Sequence, residues 1–156
     1  MQTSRCVVLV KPDGVQRGLI GEIIHRFERK GLHMIGLKMI ALDDETLSDW
    51  YVEHKDKPFF GDLKKFMSSN PVVAILWEGI EASVAIRNIL GSTKGREAAP
   101  GTIRGDFSMS KQYNIVHASD SAEAGDREQK LIFKDDEIFP WKKMNLDQIY
   151  APDEME

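Results

Sequence analysis

The sequence predicts an α/β fold, because short apolar runs rich in β-branched residues alternate along the chain with segments of helical spacing. Turn signals that contain glycine or proline separate most of these segments. The resulting order of elements is β-α-β-αα-β-α-β-α. Periodicity alone allows this order to form either a parallel doubly wound sheet or a split ferredoxin-like sheet, so the direction of the strands stays open.

The first strand and helix follow from a short apolar run and from helical spacing. Residues Ser4 to Val10 are predicted to form a buried strand, which ends at the turn signal Lys11-Pro12-Asp13-Gly14. The next apolar residues recur at i, i+3, i+4 and i+7 and predict a helix that stops before Gly31. These residues are Ile20, Ile23, Ile24 and Phe27.

A second strand and a helical hairpin are predicted next. Met34 to Leu42 is the strand, and the acidic run Asp43 to Glu45 suits a helix N-terminus because carboxylates are favoured at its positive end. Pro58 to Gly61 interrupts that helix. Helical spacing then resumes with Leu63, Phe66 and Met67.

The second half of the chain contains two further strands and a long loop. Val72 to Trp77 is predicted to be a strand and Ala82 to Leu90 a helix. Residues Gly91 to Gln112 show no sustained periodicity, which is typical of a functional loop. Ile115 to Ala118 is predicted to be a short strand.

A last helix is predicted to begin just after His117. Asp120 and Glu123 form a start like a capping box for a helix that runs to about Phe133. Residues 134–156 have no clear period, but they contain aromatic side chains that are too apolar for a solvated tail. We therefore expect this C-terminal extension to pack on the domain or on a neighbouring subunit.

Length and composition are those of one globular domain, expected over residues 1–156. The chain is 42% hydrophobic and 29% charged, and its net charge of -4 gives no general attraction to nucleic acid or to anionic lipid. Neither specific nucleic-acid binding nor membrane association is therefore expected. The only cysteine, Cys6, lies in an apolar run too short for a signal peptide or a membrane span, which predicts a reduced, cytoplasmic location.

Common phosphate-binding and metal-binding motifs are absent from the sequence. The twelve glycines never occur as G-x-G, and no Walker loop is present. The four histidines and one cysteine have no zinc-binding spacing. Both common phosphate cradles are therefore missing.

Four short stretches carry the strongest functional signal. They read VKPDGVQRGLIGE from Val10 to Glu22, YVEHKDKPFF from Tyr51 to Phe60, PGTIRGDF from Pro100 to Phe107, and NIVHASDS from Asn114 to Ser121. Together they resemble the nucleoside diphosphate kinase family, nearly collinearly from Arg5 to about Phe133. The resemblance implies a ferredoxin-like sandwich with a four-stranded antiparallel sheet, an inserted helical hairpin and a long nucleotide-site loop.

His117 is the candidate nucleophile. On residue type alone, a lone histidine beside small residues is more often a core residue. A histidine that accepts a phosphoryl group needs one ring nitrogen free and the other held by an acceptor, which fixes the tautomer. By spacing, Glu128, Glu123 and Asp126 all compete for that role. The resemblance favours Glu128, with Ser119 as a supporting hydrogen-bond partner.

Donors must converge on the transferred phosphoryl group, because stabilising the charge on its three oxygens is most of this chemistry. The resemblance assigns that role to Lys11, Arg87 and Arg104, with Thr93 and Tyr51 as further donors. It assigns ribose binding to Asn114 and base stacking to Phe59. Stacking tolerates any base because every base has a π-face, so broad base specificity is expected.

The resemblance implies ping-pong transfer of the γ-phosphate of a nucleoside triphosphate, mainly ATP, to a nucleoside diphosphate through phosphohistidine at His117. Mg²⁺ is the implied cofactor, held mainly by the phosphates, with no direct protein ligand and Asp120 as an indirect helper. Family members form hexamers or tetramers, and the aromatic extension favours a homohexamer. The alternative is a non-catalytic, nucleotide-binding regulatory module on the same fold.

Two positions depart from the family pattern. Lys94-Gly95 follows Thr93 where the family commonly has Asn-Pro, and Lys94 is either an added phosphate contact or a solvated loop lysine. Ala118 follows His117 where the family usually has glycine, which narrows the allowed backbone conformations. We expect activity to survive the change at Ala118.

Overall fold

Strands and helices alternate along the chain in the computed structural model, which describes residues 2–156. The strands are β1 (Ser4–Val10), β2 (His33–Ile40), β3 (Val72–Gly79) and β4 (Val116–Ala118). The helices are α1 (Pro12–Gln16), α2 (Ile20–Lys30), α3 (Asp44–Trp50), α4 (Phe60–Met67), α5 (Ala82–Leu90), α6 (Ile103–Phe107) and α7 (Ala122–Ile132). Short 3-10 turns lie at Val52–His54, Gly95–Glu97, Asp135–Glu137, Leu146–Gln148 and Pro152–Glu154.

The four strands form one antiparallel sheet in the order β2-β3-β1-β4. At the centre of this sheet, Leu9 of β1 pairs with Ala74 of β3 on one side and with His117 of β4 on the other. The arrangement is ferredoxin-like, which confirms the fold that the family resemblance implied. The parallel doubly wound alternative is excluded, because every strand pair is antiparallel.

Helices cover both faces of the sheet, so β1 is buried on both sides. Val8 and Val10 pack into one apolar cluster with α2 and α5, whereas Val7 and Leu9 pack into a second cluster with α3, α4 and α7. A strand buried on both faces has no polar alternation, which is why its sequence is a continuous apolar run.

Local chemistry sets most helix ends. Gly31 ends α2 in the left-handed conformation, with φ of 102°, where glycine has no steric penalty. The Asp43 carboxylate caps α3 by accepting from the Thr46 N–H at 2.8 Å. Ser121 caps α7, one residue later than predicted, by accepting from the Ala124 N–H at 3.1 Å.

Two short helices were not predicted because five residues are too few for a hydrophobic period. Residues after Lys11 form α1 instead of a simple turn, with Pro12 at the first helical position, where its missing N–H costs nothing. The long loop after Gly91 contains α6. The predicted helical hairpin is present as α3 and α4, between β2 and β3.

The C-terminal extension, residues 134–156, packs on the edge strand β2 and on the end of α2. The Phe139 N–H donates to the Ile35 carbonyl at 2.8 Å, and the Lys143 ammonium donates to the Gly31 carbonyl at 2.9 Å. No helix among the described residues is long and apolar enough to cross a membrane.

Candidate active site

A cleft of about 600 Å³ lies where β1 ends and β4 begins. Ten of the eleven predicted site residues line it: Lys11, Tyr51, Phe59, Arg87, Thr93, Arg104, Asn114, His117, Asp120 and Glu128. The eleventh, Ser119, is fully buried beside it. The fold therefore brings together side chains from segments that lie far apart in the sequence.

His117 lies on β4 and is held from the side of α7 by Glu128. The Nε2 atom of the His117 ring is 3.3 Å from the Oε2 atom of Glu128. The same carboxylate oxygen accepts from the Ser119 hydroxyl at 2.7 Å. Ser119 in turn accepts from the Val7 N–H at 3.0 Å, so backbone of β1 anchors the whole chain of contacts.

These contacts select one tautomer of His117. A carboxylate only accepts hydrogen bonds, so Nε2 must carry the proton that faces Glu128. The lone pair then belongs to Nδ1, which has no hydrogen-bond partner in residues 2–156. The indole of Trp50 packs edge-on against the imidazole, with ring centroids 5.2 Å apart, and limits its rotation.

Glu128→Gln is expected to lower the rate of phosphoryl transfer about tenfold. The amide oxygen can still accept from His117 and Ser119, but hydrogen bonds to a charged acceptor are roughly twice as strong as neutral ones. Steady-state kcat/KM measures the loss. Glu123→Gln, an exposed carboxylate on the same helix, is the matched control and should retain full activity. A larger loss in the Glu123 variant would contradict the assignment of Glu128.

Lys11 is buried at the inner end of the cleft. Its ammonium donates to the Gln112 carbonyl at 2.7 Å and to the Oδ1 atom of Asn114 at 2.8 Å. Three N–H donors are available, so one remains for an anionic ligand. Burial lowers the pKa of Lys11 from 10.5 to about 8; Asp13 opposes this shift and Arg104 adds to it.

The depressed pKa of Lys11 predicts an alkaline limb in the pH profile. In the role expected for Lys11, only the protonated amine binds phosphate, so kcat/KM, which reports the free enzyme, should fall as the pH rises through about 8. Bound phosphate favours the charged amine, so the limb in kcat should lie at higher pH. A Lys11→Arg variant should lose the limb whatever its absolute activity. A wild-type kcat/KM that stays constant well above this pH would contradict the assignment.

Arg104 is buried and spans the backbone that leads into β4. Its guanidinium donates to the carbonyls of Gly91 at 3.1 Å, Asn114 at 3.3 Å and Val116 at 2.6 Å. A guanidinium has five N–H donors, so two remain for a ligand in the cleft. Burial and repulsion from Arg87 lower the pKa of Arg104 to about 10, which leaves it charged at neutral pH.

The residue between those carbonyls, Ile115, has an unusual backbone. Its φ is 75°, and the Val116 N–H donates to the Asn114 carbonyl at 2.8 Å, which makes a γ-turn centred on Ile115. A β-branched residue is strained in this region. The Asp13 carboxylate holds the turn by accepting from the Ile115 N–H at 3.0 Å. His117 therefore follows a turn that is clamped from two sides.

The remaining donors lie around this centre. Arg87 has no side-chain partner within the described residues, and its charge is close enough to act on Arg104. Burial, followed by the charge of Glu128, raises the pKa of Tyr51, so its hydroxyl stays protonated and able to donate. Asn114 already donates to the Thr93 carbonyl at 2.9 Å, which leaves one amide hydrogen for a ligand.

The two departures from the family pattern have local explanations. Lys94 does not line the cleft, and its ammonium pairs with Glu97 at 3.0 Å on the surface. A Cβ at position 95 would lie 2.4 Å from the Ser108 carbonyl oxygen, so only glycine fits there. Ala118 pairs with Val8 in extended backbone and needs no glycine conformation.

Several cleft residues were not predicted. Besides Ala118, these are Leu63, Ser110, Lys111, Gln112 and Val116. Leu63 follows Phe59 by four residues, a spacing that places both on one helix face and could have identified it. Residues 110–112 belong to an irregular loop and have no such signal. Among residues 2–156, no group of three or more His, Cys, Asp or Glu side chains is arranged to hold a metal ion.

Comparison with known proteins gives a consistent result. The family model described as nucleoside diphosphate kinase matches residues 4–138. A nucleoside diphosphate kinase of Parabacteroides distasonis is 55% identical over 97% of this chain and 99% of its own length. One of Staphylothermus marinus is 57% identical over 90% of this chain and 100% of its own length.

Solved structures agree with the sequence relatives. The halophilic nucleoside diphosphate kinase of Halobacterium salinarum in complex with CDP has a TM-score of 0.93 and 46% identity, over 96% of this chain and 99% of that one. The fold and these similarities define an enzyme of the phosphotransferase class. The chain belongs to the nucleoside diphosphate kinase family.

Proposed function

We propose that this enzyme transfers the γ-phosphate of a nucleoside triphosphate, mainly ATP, to a nucleoside diphosphate through a phosphohistidine at His117. The observation that carries the proposal is the contact of Nε2 with Glu128, which leaves the Nδ1 lone pair free in a cleft lined by Lys11, Arg87 and Arg104. A module that only bound nucleotides would need the basic side chains but not the oriented imidazole.

The reaction has two half-steps at one site. In the first, the Nδ1 lone pair attacks the γ-phosphorus, the bond from that phosphorus to the β–γ bridging oxygen breaks, and the nucleoside diphosphate leaves with the electron pair. In the second, a terminal oxygen of the incoming diphosphate attacks, and the N–P bond returns its electrons to His117. The phosphoanhydride broken and the one formed are chemically similar, so one site can serve both directions.

Charge stabilisation is the main contribution of the surrounding residues. Lys11 and Arg104 are buried and already oriented by backbone carbonyls, so little reorganisation is needed when a phosphate arrives. Arg87, Thr93 and Tyr51 line the same cleft and add donors. Mg²⁺, when bound by the phosphates, would supply further charge neutralisation. Asp120, which lines the cleft, is the residue suited to hold water around that ion.

The outer part of the cleft suits the nucleoside. Phe59 is half-exposed at the start of α4, where its ring can stack on a base, and Asn114 retains one amide hydrogen for the ribose. Stacking supports broad base specificity, because it contributes about 1–3 kcal/mol for any base. The Halobacterium relative was solved in complex with CDP, which supports nucleoside diphosphates as ligands of this enzyme.

Intact-protein mass measurement tests the two-step mechanism. Incubation with Mg-ATP alone should add one phosphoryl group that acid removes, and subsequent CDP should discharge it as CTP. Purine and pyrimidine diphosphates should both discharge it, without the 10⁴-fold discrimination typical of a site built around base-edge hydrogen bonds. ATP binding without an adduct would instead favour the regulatory module, and an acid-stable adduct would move the chemistry to a serine or threonine.

We also propose a homohexamer of single-domain chains, with residues 1–156 as one kinase domain and residues 134–156 as its extension. Large apolar side chains remain exposed on β2 and on the extension: Leu37, Met39, Phe139, Trp141 and Met144. A partner subunit would bury them. Light scattering should give the mass of a hexamer, and the mass of a tetramer or a dimer would contradict the assignment.

The single free cysteine supports a cytoplasmic location.

A further inference from the structure

Lys111 is a basic residue of the cleft to which the proposed chemistry gives no role. It lines the cleft with Phe59 and Leu63, it is exposed, and within residues 2–156 its ammonium makes no hydrogen bond or ion pair. The other lysine of the cleft, Lys11, is buried and bonded to two oxygens. Lys111 therefore has its full donor capacity available.

A hydroxyl-centred turn fixes the backbone around Lys111. The Ser110 hydroxyl accepts from the Gln112 N–H at 3.2 Å and from the Tyr113 N–H at 3.1 Å. The Gly95 N–H donates to the Ser110 carbonyl at 3.0 Å, and the Gln112 carbonyl accepts from Lys11. The side chain of Lys111 thus projects from a turn that is tied down on both sides.

This turn lies against the helix that carries Phe59. The Tyr113 ring packs edge-on against the Phe66 ring, with centroids 4.5 Å apart. Phe59, Leu63 and Phe66 follow an i, i+4, i+7 spacing, so they share one face of α4 and its start. Since Phe66 contacts the turn, the same face directs Phe59 and Leu63 toward Lys111 across the outer part of the cleft.

Lys111 differs from the basic residues that are proposed to hold the phosphates. Lys11 and Arg104 are buried and donate to protein oxygen atoms, whereas Lys111 is exposed. It lines the cleft together with the exposed Phe59. This exposed position suits contact with the base.

We propose that Lys111 reads the edge of the base stacked on Phe59 and makes the enzyme prefer bases that present a carbonyl oxygen there. This specificity role rests on the proposed kinase function. An ammonium only donates, so it can bond to O6 and N7 of guanine or to O4 of uracil. Adenine and cytosine present an amino group in place of O6 and O4, and an amino group also only donates. Adenine keeps N7 as an acceptor, so it can form one of the two bonds that guanine offers.

Stacking on Phe59 accepts every base, and the contact with Lys111 adds a preference for guanine and uracil. Because Lys111 is exposed and its charge is screened, the expected discrimination is roughly fivefold, the lower end of the range for a base-edge contact. Purines and pyrimidines stack differently, so the informative comparisons are between bases of equal size.

Acceptor kinetics with the intact enzyme test the role of Lys111. We would measure kcat/KM for GDP, IDP and ADP, and for UDP and CDP, with a common triphosphate donor. The GDP-to-ADP and UDP-to-CDP ratios should both be roughly fivefold, should decrease at high salt, and should approach one in Lys111→Met. IDP, which keeps O6 and N7 but lacks the guanine amino group, should behave like GDP. Lys94→Met, an exposed lysine outside the cleft, is the matched control and should keep the wild-type ratios.

The outcomes separate this inference from the kinase function. Transfer to every acceptor with ratios near one in the wild type would overturn the role of Lys111 and leave the kinase function standing. Wild-type ratios that persist in Lys111→Met would do the same. Failure to phosphorylate any acceptor would overturn both.

Discussion

Replacing His117 with alanine is expected to reduce transfer from ATP to CDP by roughly four to six orders of magnitude in kcat/KM, the range seen when a covalent nucleophile is deleted. The reason is that no other group can replace it. Glu128 contacts both Ser119 and the imidazole, and neither Glu128 nor Ser119 can accept a phosphoryl group in place of the imidazole. Nucleotide binding should persist, because the basic side chains that are proposed to hold phosphate stay in position.

Two measurements distinguish loss of the nucleophile from loss of the fold. His117→Ala should gain no phosphoryl group from Mg-ATP, while its thermal unfolding midpoint stays close to that of the wild type, since His117 is partly exposed. His25→Gln, an exposed histidine on α2, is the matched control and should form the adduct normally. An acid-labile adduct in the His117 variant would show that another residue is the acceptor.

Elements built by local interactions were predictable. The sequence limits of β1 and α5 match the structure, and α2 ends where Gly31 was expected to stop it. Each depends on residues only a few positions apart. The direction of the strands was not predictable from pattern, because β1 and β3 are buried on both faces and read like strands of a parallel sheet. Only the family resemblance supplied the antiparallel order.

The spacing of buried residues on α7 contains a signal that identifies Glu128 as the partner of His117. Glu128, Gly125 and Ile132 are the buried positions of α7 and follow a helical period, whereas Glu123 and Asp126 are exposed. The helix approaches β1 so closely that a Cβ at Gly125 would lie 2.2 Å from the Arg5 carbonyl oxygen. A glutamate on that face must point at the sheet. The helix face could therefore have distinguished Glu128 from Glu123 and Asp126 as the partner of His117.

The turn at Ile115 could not have been predicted from its own residues. Isoleucine disfavours positive φ, and a local pattern would extend the strand through it. The conformation exists because distant groups impose it. The Lys11 N–H donates to the Ile115 carbonyl at 2.8 Å, Asp13 accepts from its N–H, and Arg104 binds the carbonyls on both sides. These groups belong to the same segments that carry the side chains proposed to bind phosphate.

Arg104 both holds the turn at Ile115 and lines the cleft, so Arg104→Lys is expected to cause the second large loss of activity. A lysine retains the charge, but one nitrogen cannot span three carbonyls and also reach a phosphate. Loss of one preorganised donor of transition-state charge costs on the order of 3 kcal/mol, or about a hundredfold in kcat/KM. Phosphorylation of His117 by ATP, followed in a single turnover, measures that step directly.

The same substitution should also weaken the fold, and the two consequences can be separated. A buried carbonyl left without a donor costs about 1–3 kcal/mol, so the unfolding midpoint of Arg104→Lys should fall measurably. Arg17→Lys is the matched control, because Arg17 also donates to a carbonyl, that of Phe107, but lies outside the cleft. It should lose little activity. If Arg104→Lys, assayed well below its unfolding midpoint, kept the wild-type rate of phosphorylation, Arg104 would be a support for the turn at Ile115 and not a ligand of the phosphoryl group.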